Sequence, residues 1–436
     1  MSLIIIFFCI ALLVVLISLC KVNAFLSFLI ISILAGLLLK MPPAMVAGAV
    51  QKGIGDMLGG LLVIIVGGAM LGKLVAESGA AQQIASSMVR LFGEKNVLWA
   101  LMATGFMIGI PLFYNVGFML VVPLIFSVAY RYKLPAVYIG LPMIASLSVT
   151  HGFLPPHPSP TALAAQFNAD ISTTLIYGII IAIPTLILAG PVFVRTLRNI
   201  NPPFSKIAHA APLPEDKLPG LFTSIFTSLL PVILLGLTSL IAAIEPSAAK
   251  DPVVAFIADP SMVMLISLGV ATFTLGLGQK MTMTRIMDVY GDAVKDVAMI
   301  LMITSGAGAL KQILMASGVS DEIAGMLGAL DIHPLVLGWG IASVIRVCVG
   351  SATVAGLTAA GVLAPLMGTL HVDPNLMVIS VGAGSLMFSH VNDTGFWLFK
   401  EYFNLTIRET IRSWSLMETI VSVCGLIGVM ILQAIL

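Results

Sequence analysis

Charge is what this chain has least of. Only 9% of its 436 residues are Asp, Glu, Lys or Arg, and 59% are hydrophobic; soluble domains run near a quarter charged. A water-soluble core cannot bury that much apolar surface. The net charge is +1, with no basic block and no acidic tail, so the sequence points to no nucleic acid and no acidic protein partner. The partner it implies is membrane lipid. Cysteine is scarce too: Cys9, Cys20, Cys348 and Cys424 lie in apolar runs without CxxC spacing, which reads as packing and not as a metal site. There is no HExxH, and His151 and His157 are separated by a proline-rich loop, a poor frame for an intramembrane metalloenzyme. No catalytic residue, metal ligand or bound cofactor is expected.

What is present is long uncharged runs. Met1–Cys20, Asn96–Tyr130, Leu134–Ala169, Ile171–Val194, Leu218–Ile244 and Pro260–Gln279 carry no Asp, Glu, Lys or Arg, and about 20 apolar residues span a bilayer as helix. They lack the polar alternation of barrel strands, and lipid tolerates no unpaired backbone, so the spans are expected to be helices. Met1–Cys20 has neither a basic leading region nor a small-residue cleavage site before Lys21, and reads as a first span.

The chain also matches itself. One common offset relates Pro135 to Pro374, Ser146 to Ser385, Leu147 to Leu386 and His151 to His390; the same offset relates Ser78-Gly79 to Ser317-Gly318. After a small shift, Phe167-Asn168 matches Phe403-Asn404. Leu and Ala matches mean little in so apolar a chain, but a histidine, drawn from only six, landing on another inside an ordered set means more. The expected organisation is an N-terminal membrane repeat over 1–200, a cytoplasmic linker over 201–220 and a C-terminal membrane repeat over 221–436.

Loop charges set the orientation. The linker region carries Arg195, Arg198, Lys206 and Lys217 against Glu215 and Asp216, whereas the next loop carries Lys250 against Glu245, Asp251 and Asp259. Phe167–Thr174 holds only Asp170, but Lys400–Arg412 is basic on balance. Matching segments therefore face opposite sides, as in the inverted repeats of secondary transporters. The expected fold is an all-α integral membrane protein with two inverted-topology repeats, discontinuous helices or re-entrant hairpins, roughly ten to fourteen membrane segments and both termini external.

Transport sites form where such helices are interrupted, because helix ends and unwound backbone bind ions and carboxylates. Four interruptions are legible. Gly109–Gly117 breaks the run Asn96–Tyr130 and offers Tyr114 and Asn115, although a plain hairpin between two spans has the same pattern. Thr150–Pro160 holds four prolines with Thr150, His151 and His157; the histidines could bind or merely cap helix ends. Arg346–Gly356 carries a lone cation in the apolar stretch Pro334–Leu370, followed by Ser351 and Thr353. An intramembrane charge is costly and marks a functional candidate, and the planar guanidinium suits a carboxylate; a structural ion pair is the alternative. Ser389–Gly395 joins His390, Asn392 and Asp393, which suggests a proton-binding pair, or a helix cap at Asp393. Lys73 and Glu77 are spaced for an i,i+4 ion pair. The substrate-binding candidates are thus Tyr114, Asn115, Thr150, His151, Arg346, Ser351, Thr353 and Asn392, and the proton-coupling candidates His151, His390 and Asp393. A cation, hydroxyls and titratable groups together suit a sugar acid. A passive channel is the other class to separate; it could not accumulate its substrate.

At these residues the chain resembles the gluconate permease family of bacterial proton-linked transporters, within the ion-transporter superfamily. The segments that carry the resemblance are LSVTHGFLPPHPSPTA (147–162), FNADISTTLIYG (167–178), RVCVGSATVAGLTA (346–359) and SHVNDTGFWLFKEYFNLT (389–406), with GAMLGKLVAESG (68–79). The resemblance implies proton-coupled uptake of gluconate or a related sugar acid by alternating access, through the bacterial inner membrane, by a homodimer. Another family substrate, such as fructuronate, lactate or D-serine, is the alternative. Many family members have an acid where this chain has Asn115, which puts coupling stoichiometry or substrate choice in question here.

Overall fold

The structure is a computed structural model that describes residues 2–112, 114–200, 202, 213–245, 251–319, 332–391 and 393–436. Most of the expected linker, 201–220, lies outside the described residues, as do Asn392 and the side chain of Asn115. The described residues are helical, with no strand among them.

The first half runs α1 (Ser2–Ser18), α2 (Ala24–Leu38), α3 (Pro43–Glu77), α4 (Ala80–Phe92), α5 (Val97–Gly109), α6 (Tyr114–Tyr132), α7 (Ala136–Phe153), α8 (Pro158–Phe167) and α9 (Ile171–Ile187). The second runs α10 (Leu221–Ile244), α11 (Pro252–Ala258), α12 (Pro260–Ala271), α13 (Met283–Ala316), α14 (Pro334–Val349), α15 (Ala352–Leu363), α16 (Pro374–Gly384), α17 (Thr394–Tyr402) and α18 (Leu416–Ile435). Eight described helical stretches are long and apolar enough to cross a membrane, and five shorter apolar helices accompany them. Outer helices turn apolar stripes outward at helical spacing: Ile176, Ile180 and Ile183 on α9, and Ile427, Ile431 and Ile435 on α18. Only lipid makes that pattern stable. This is a multi-pass integral membrane protein.

The internal match reappears as matching helix ends. Gly79 and Gly318 both adopt left-handed backbone (φ 80° and 73°), directly after α3 and α13. Asn168 and Asn404 do so where α8 and α17 end (φ 55° and 53°), a conformation in which asparagine is enriched. Asp170 and Thr406 then cap the next helices.

The long mates α3 and α13 pack against each other, and three contacts along them fix their direction. Gly53 meets Gly308, Lys73 bonds Asp296 at 2.7 Å, and Glu77 bonds Arg285 at 2.9 Å. Numbers rise on α3 as they fall on α13, so equivalent helices run antiparallel. That is inverted topology. A Cβ on Gly53 would sit 2.4 Å from the Gly308 carbonyl oxygen, and one on Gly308 would sit 2.5 Å from that of Gly53; the close crossing needs both glycines. The expected Lys73–Glu77 pair is corrected here. Both side chains reach across to α13, where each finds an opposite charge.

Candidate functional site

Each half contains two interruptions, and the sequence explains each. Helix α5 ends at Gly109 and α6 begins at Tyr114, around Pro111, which cannot donate in a helix interior. In the second half α14 ends at Gly350 (φ 80°), and the Ser351 side chain caps α15 by accepting from Val354 N at 3.4 Å. Helix α7 ends before Pro155 and Pro156, and α8 starts with His157 as its N-cap residue. Its mate α16 ends at Gly384, and Asp393 caps α17, its Oδ1 accepting from Gly395 N at 3.0 Å.

These interruptions enclose a cavity of about 280 Å³. The first half contributes Tyr114, Ser148 and His151. The second contributes Arg346, Ser351, Thr353, Asp393, Thr394, Trp414 and Glu418, with Ile300 and Ile303 of α13 as an apolar wall. Those isoleucines stand midway along α13, one and two turns past its charged stretch Arg285–Asp296. Every residue of α7 except His151 is buried, because His151 opens onto this space.

Arg346 organises the polar side. Its side chain is 3% exposed, and Nη2 donates to Asp393 Oδ2 at 2.5 Å. Asp393 is held on that oxygen by the Ser389 hydroxyl as well, and Ser389 Oγ accepts from Trp414 Nε1 at 2.7 Å. This network anchors the guanidinium through Nη2. Nε and Nη1 have no protein partner, and the Tyr114 hydroxyl and His151 Nδ1 also lack one. Buried donors left unpaired are costly. Facing a cavity, such donors can serve an anion.

The expected site residues separate accordingly. Tyr114, His151, Arg346, Ser351, Thr353 and Asp393 line one space. Thr150 does not; its hydroxyl donates to the Leu147 carbonyl in its own helix at 3.0 Å. His390 turns away, its Nε2 donating to the Val347 carbonyl at 2.9 Å. Asp393 therefore pairs with Arg346 and not with its neighbour His390. Asn115 is in α6, with its side chain undescribed, and Asn392 lies outside the described residues. In the first half, His157 Nε2 donates to the Gly109 carbonyl at 2.6 Å, so each half uses a histidine to brace the end of a broken helix. The bracing pair is His157 with His390, while His151, the register mate of His390, faces the cavity.

Ser148, Ser389, Trp414 and Glu418 were not among the sequence candidates. Glu418 gave a usable signal, an acid inside the apolar run Trp414–Leu436. It is 1% exposed. Ser148 is near enough to interact with it, but neither carboxylate oxygen has a hydrogen-bond partner of good geometry.

An inverted pair of helix bundles, broken around a buried cavity that holds an arginine, is the plan of a membrane permease. The model of the GntP family of permeases matches residues 1–435, and the chain belongs to that family. It is 48% identical to a high-affinity gluconate transporter of Escherichia coli K12 over 95% of both chains. It is 44% identical to the Gnt-II system L-idonate transporter of the same organism, over the whole of both. Among solved structures, the fold is similar to the YdaH transporter of Alcanivorax borkumensis, with TM-score 0.62 and 16% identity over 88% of this chain and 87% of that one.

Proposed function

We propose that this permease takes up gluconate, or a close sugar acid, together with protons, by alternating access to the cavity around Arg346. The observation that carries the reading is the pair of unpartnered guanidinium donors, Nε and Nη1, on a side chain 3% exposed. They are charged donors on two sides of a guanidinium whose third nitrogen is held by Asp393, and charged N–H donors bind a carboxylate more strongly than a neutral hydroxyl. Asp393 is the anchor that aims the guanidinium. Around it, Ser148, Ser351, Thr353, Thr394 and Tyr114 supply hydroxyls that match a polyol chain. Relatives named for gluconate and for L-idonate share this substrate chemistry.

The antiparallel mates α3 and α13 support alternating access, since inverted halves have equivalent inward-open and outward-open forms. Uptake proceeds across the bacterial inner membrane, with segment 201–220 cytoplasmic, and the functional unit is a homodimer. Among the acids and histidines of the cavity, His151 and Glu418 are the groups not already committed to Arg346, and the proton is the only coupling ion required.

Proteoliposomes given an inward proton gradient should accumulate labelled gluconate above its external concentration. A competition series of aldonates and short hydroxy acids in counterflow ranks the substrates. Uptake of another acid with no uptake of gluconate would overturn the substrate, and equilibration without accumulation would leave a passive channel.

A further inference from the structure

We propose that Glu418 is the proton carrier, which must be protonated before the substrate anion can bind beside it; this rests on the functional reading above. Glu418 stands on α18 two residues past Leu416, where that helix emerges from a π-helical segment, Ile411–Ser415. The extra backbone residue of a π turn rotates the face that follows it, and such turns gather at functional sites. Here the segment puts Trp414 and Glu418 on the same cavity wall.

The groups that face Glu418 can be named element by element. Arg346 comes from α14, Asp393 from the start of α17, Tyr114 from α6, and Ser148 and His151 from α7. Helix α16 contributes no titratable side chain, and the Tyr177 of α9 does not line the cavity. Arg346, the one cation among these, already has Asp393 as partner at 2.5 Å.

Charge bookkeeping then decides the order of events. With Glu418 ionised, the empty site holds one positive and two negative charges. A bound monoanion would add a third negative charge beside the buried Glu418 and Arg346, where charges interact strongly. If Glu418 takes a proton first, the loaded site has the same net charge as the empty ionised one. One proton and one monoanion cross together, no net charge moves, and on the far side both leave and the ionised carboxylate returns. Asp393 cannot serve this purpose without releasing Arg346, whose unpartnered donors would lose their aim.

The test uses full-length protein in proteoliposomes, with labelled gluconate, and compares wild type with Glu418→Gln. Wild type should accumulate gluconate under a pH gradient and not under a potassium-diffusion potential alone. Glu418→Gln should lose accumulation under the pH gradient and gain a response to an inside-positive potential, because it carries a bare anion. Counterflow, which needs no net proton movement, should be the activity it loses least. Accumulation by Glu418→Gln under a pH gradient equal to wild type overturns the proposal. Proton uptake on gluconate binding, read on the detergent-purified wild type with a pH indicator, keeps the test independent of any variant. About one proton per gluconate is expected, with affinity falling about tenfold per pH unit once free Glu418 is ionised; no proton uptake overturns the proposal. Absence of gluconate transport by wild type refutes the functional reading itself and is seen first.

Discussion

Replacing Arg346 by lysine tests the anion site most directly, because it keeps the charge and removes the fork. Alanine is less informative. It leaves Asp393, with its side chain only 16% exposed, without its cation, and breaking a buried pair by removing one partner costs about 3–5 kcal/mol, enough to confuse binding with folding. Lysine keeps a cation near Asp393, but its single ammonium cannot hold that carboxylate and also reach the positions from which Nε and Nη1 can donate. At least one charge-assisted hydrogen bond to the substrate is lost. Such a bond contributes about 1.5–3 kcal/mol, so gluconate affinity should fall roughly 10- to 150-fold at about 1.4 kcal/mol per decade. Calorimetric titration of the detergent-purified variant measures this, with monodisperse elution showing that it is folded. A folded Arg346→Lys protein that binds gluconate within about threefold of wild type, a difference well under 1.4 kcal/mol, would refute the assignment of the carboxylate to the unpartnered guanidinium donors.

Three further outcomes are expected. Gly308→Ala places a Cβ 2.5 Å from the Gly53 carbonyl oxygen and should cost about 1–3 kcal/mol through overpacking, lowering the melting temperature in detergent. Gly48→Ala, with nothing within 4 Å, should melt as wild type, and equal melting of the two would contradict the tight α3–α13 crossing. A double-mutant cycle on Lys73 and Asp296, whose side chains are 24% and 44% exposed, should give a coupling of about 0.2–1 kcal/mol; a much larger value would mean the pair is sealed from water. Trp414 lines the cavity and donates to Ser389, so gluconate should change the tryptophan emission of wild type, and Trp414→Phe should abolish most of that change. An unaltered change in the variant would place the ligand elsewhere.

The fold was legible because lipid simplifies the code. Uncharged runs give spans, and proline with glycine gives the breaks at Pro111, Pro155 and Gly350. The repeat was legible for a different reason. The residues that matched across the halves, Gly79 with Gly318 and Asn168 with Asn404, hold left-handed backbone at helix ends, where few side chains substitute. What escaped were partners that depend on helix rotation. The Lys73–Glu77 spacing was right for a pair within one helix, but a single-helix rule cannot see that α13 brings Asp296 and Arg285 nearer. Glu418 is marked only as an acid in an apolar run, with no proline or glycine at its position, and the π segment that aims it is a local underwinding with no distinctive composition. His390 and Asp393 are close in sequence, yet the turn between α16 and α17 sends their side chains in different directions.

The symmetric frame and the asymmetric site have one explanation. Inversion gives two copies of each broken helix, so a strictly symmetric chain would present two arginines and two acid pairs across one cavity of about 280 Å³. Like charges in that volume repel strongly, and a monoanion needs only one cation. The charged groups, Arg346, Asp393 and Glu418, accordingly all come from the second half, and the first half supplies Tyr114, Ser148 and His151. The paired histidines follow the same division of labour. His157 and His390 do equivalent structural work at the ends of α5 and α14, and His151, the register mate of His390, lines the cavity instead.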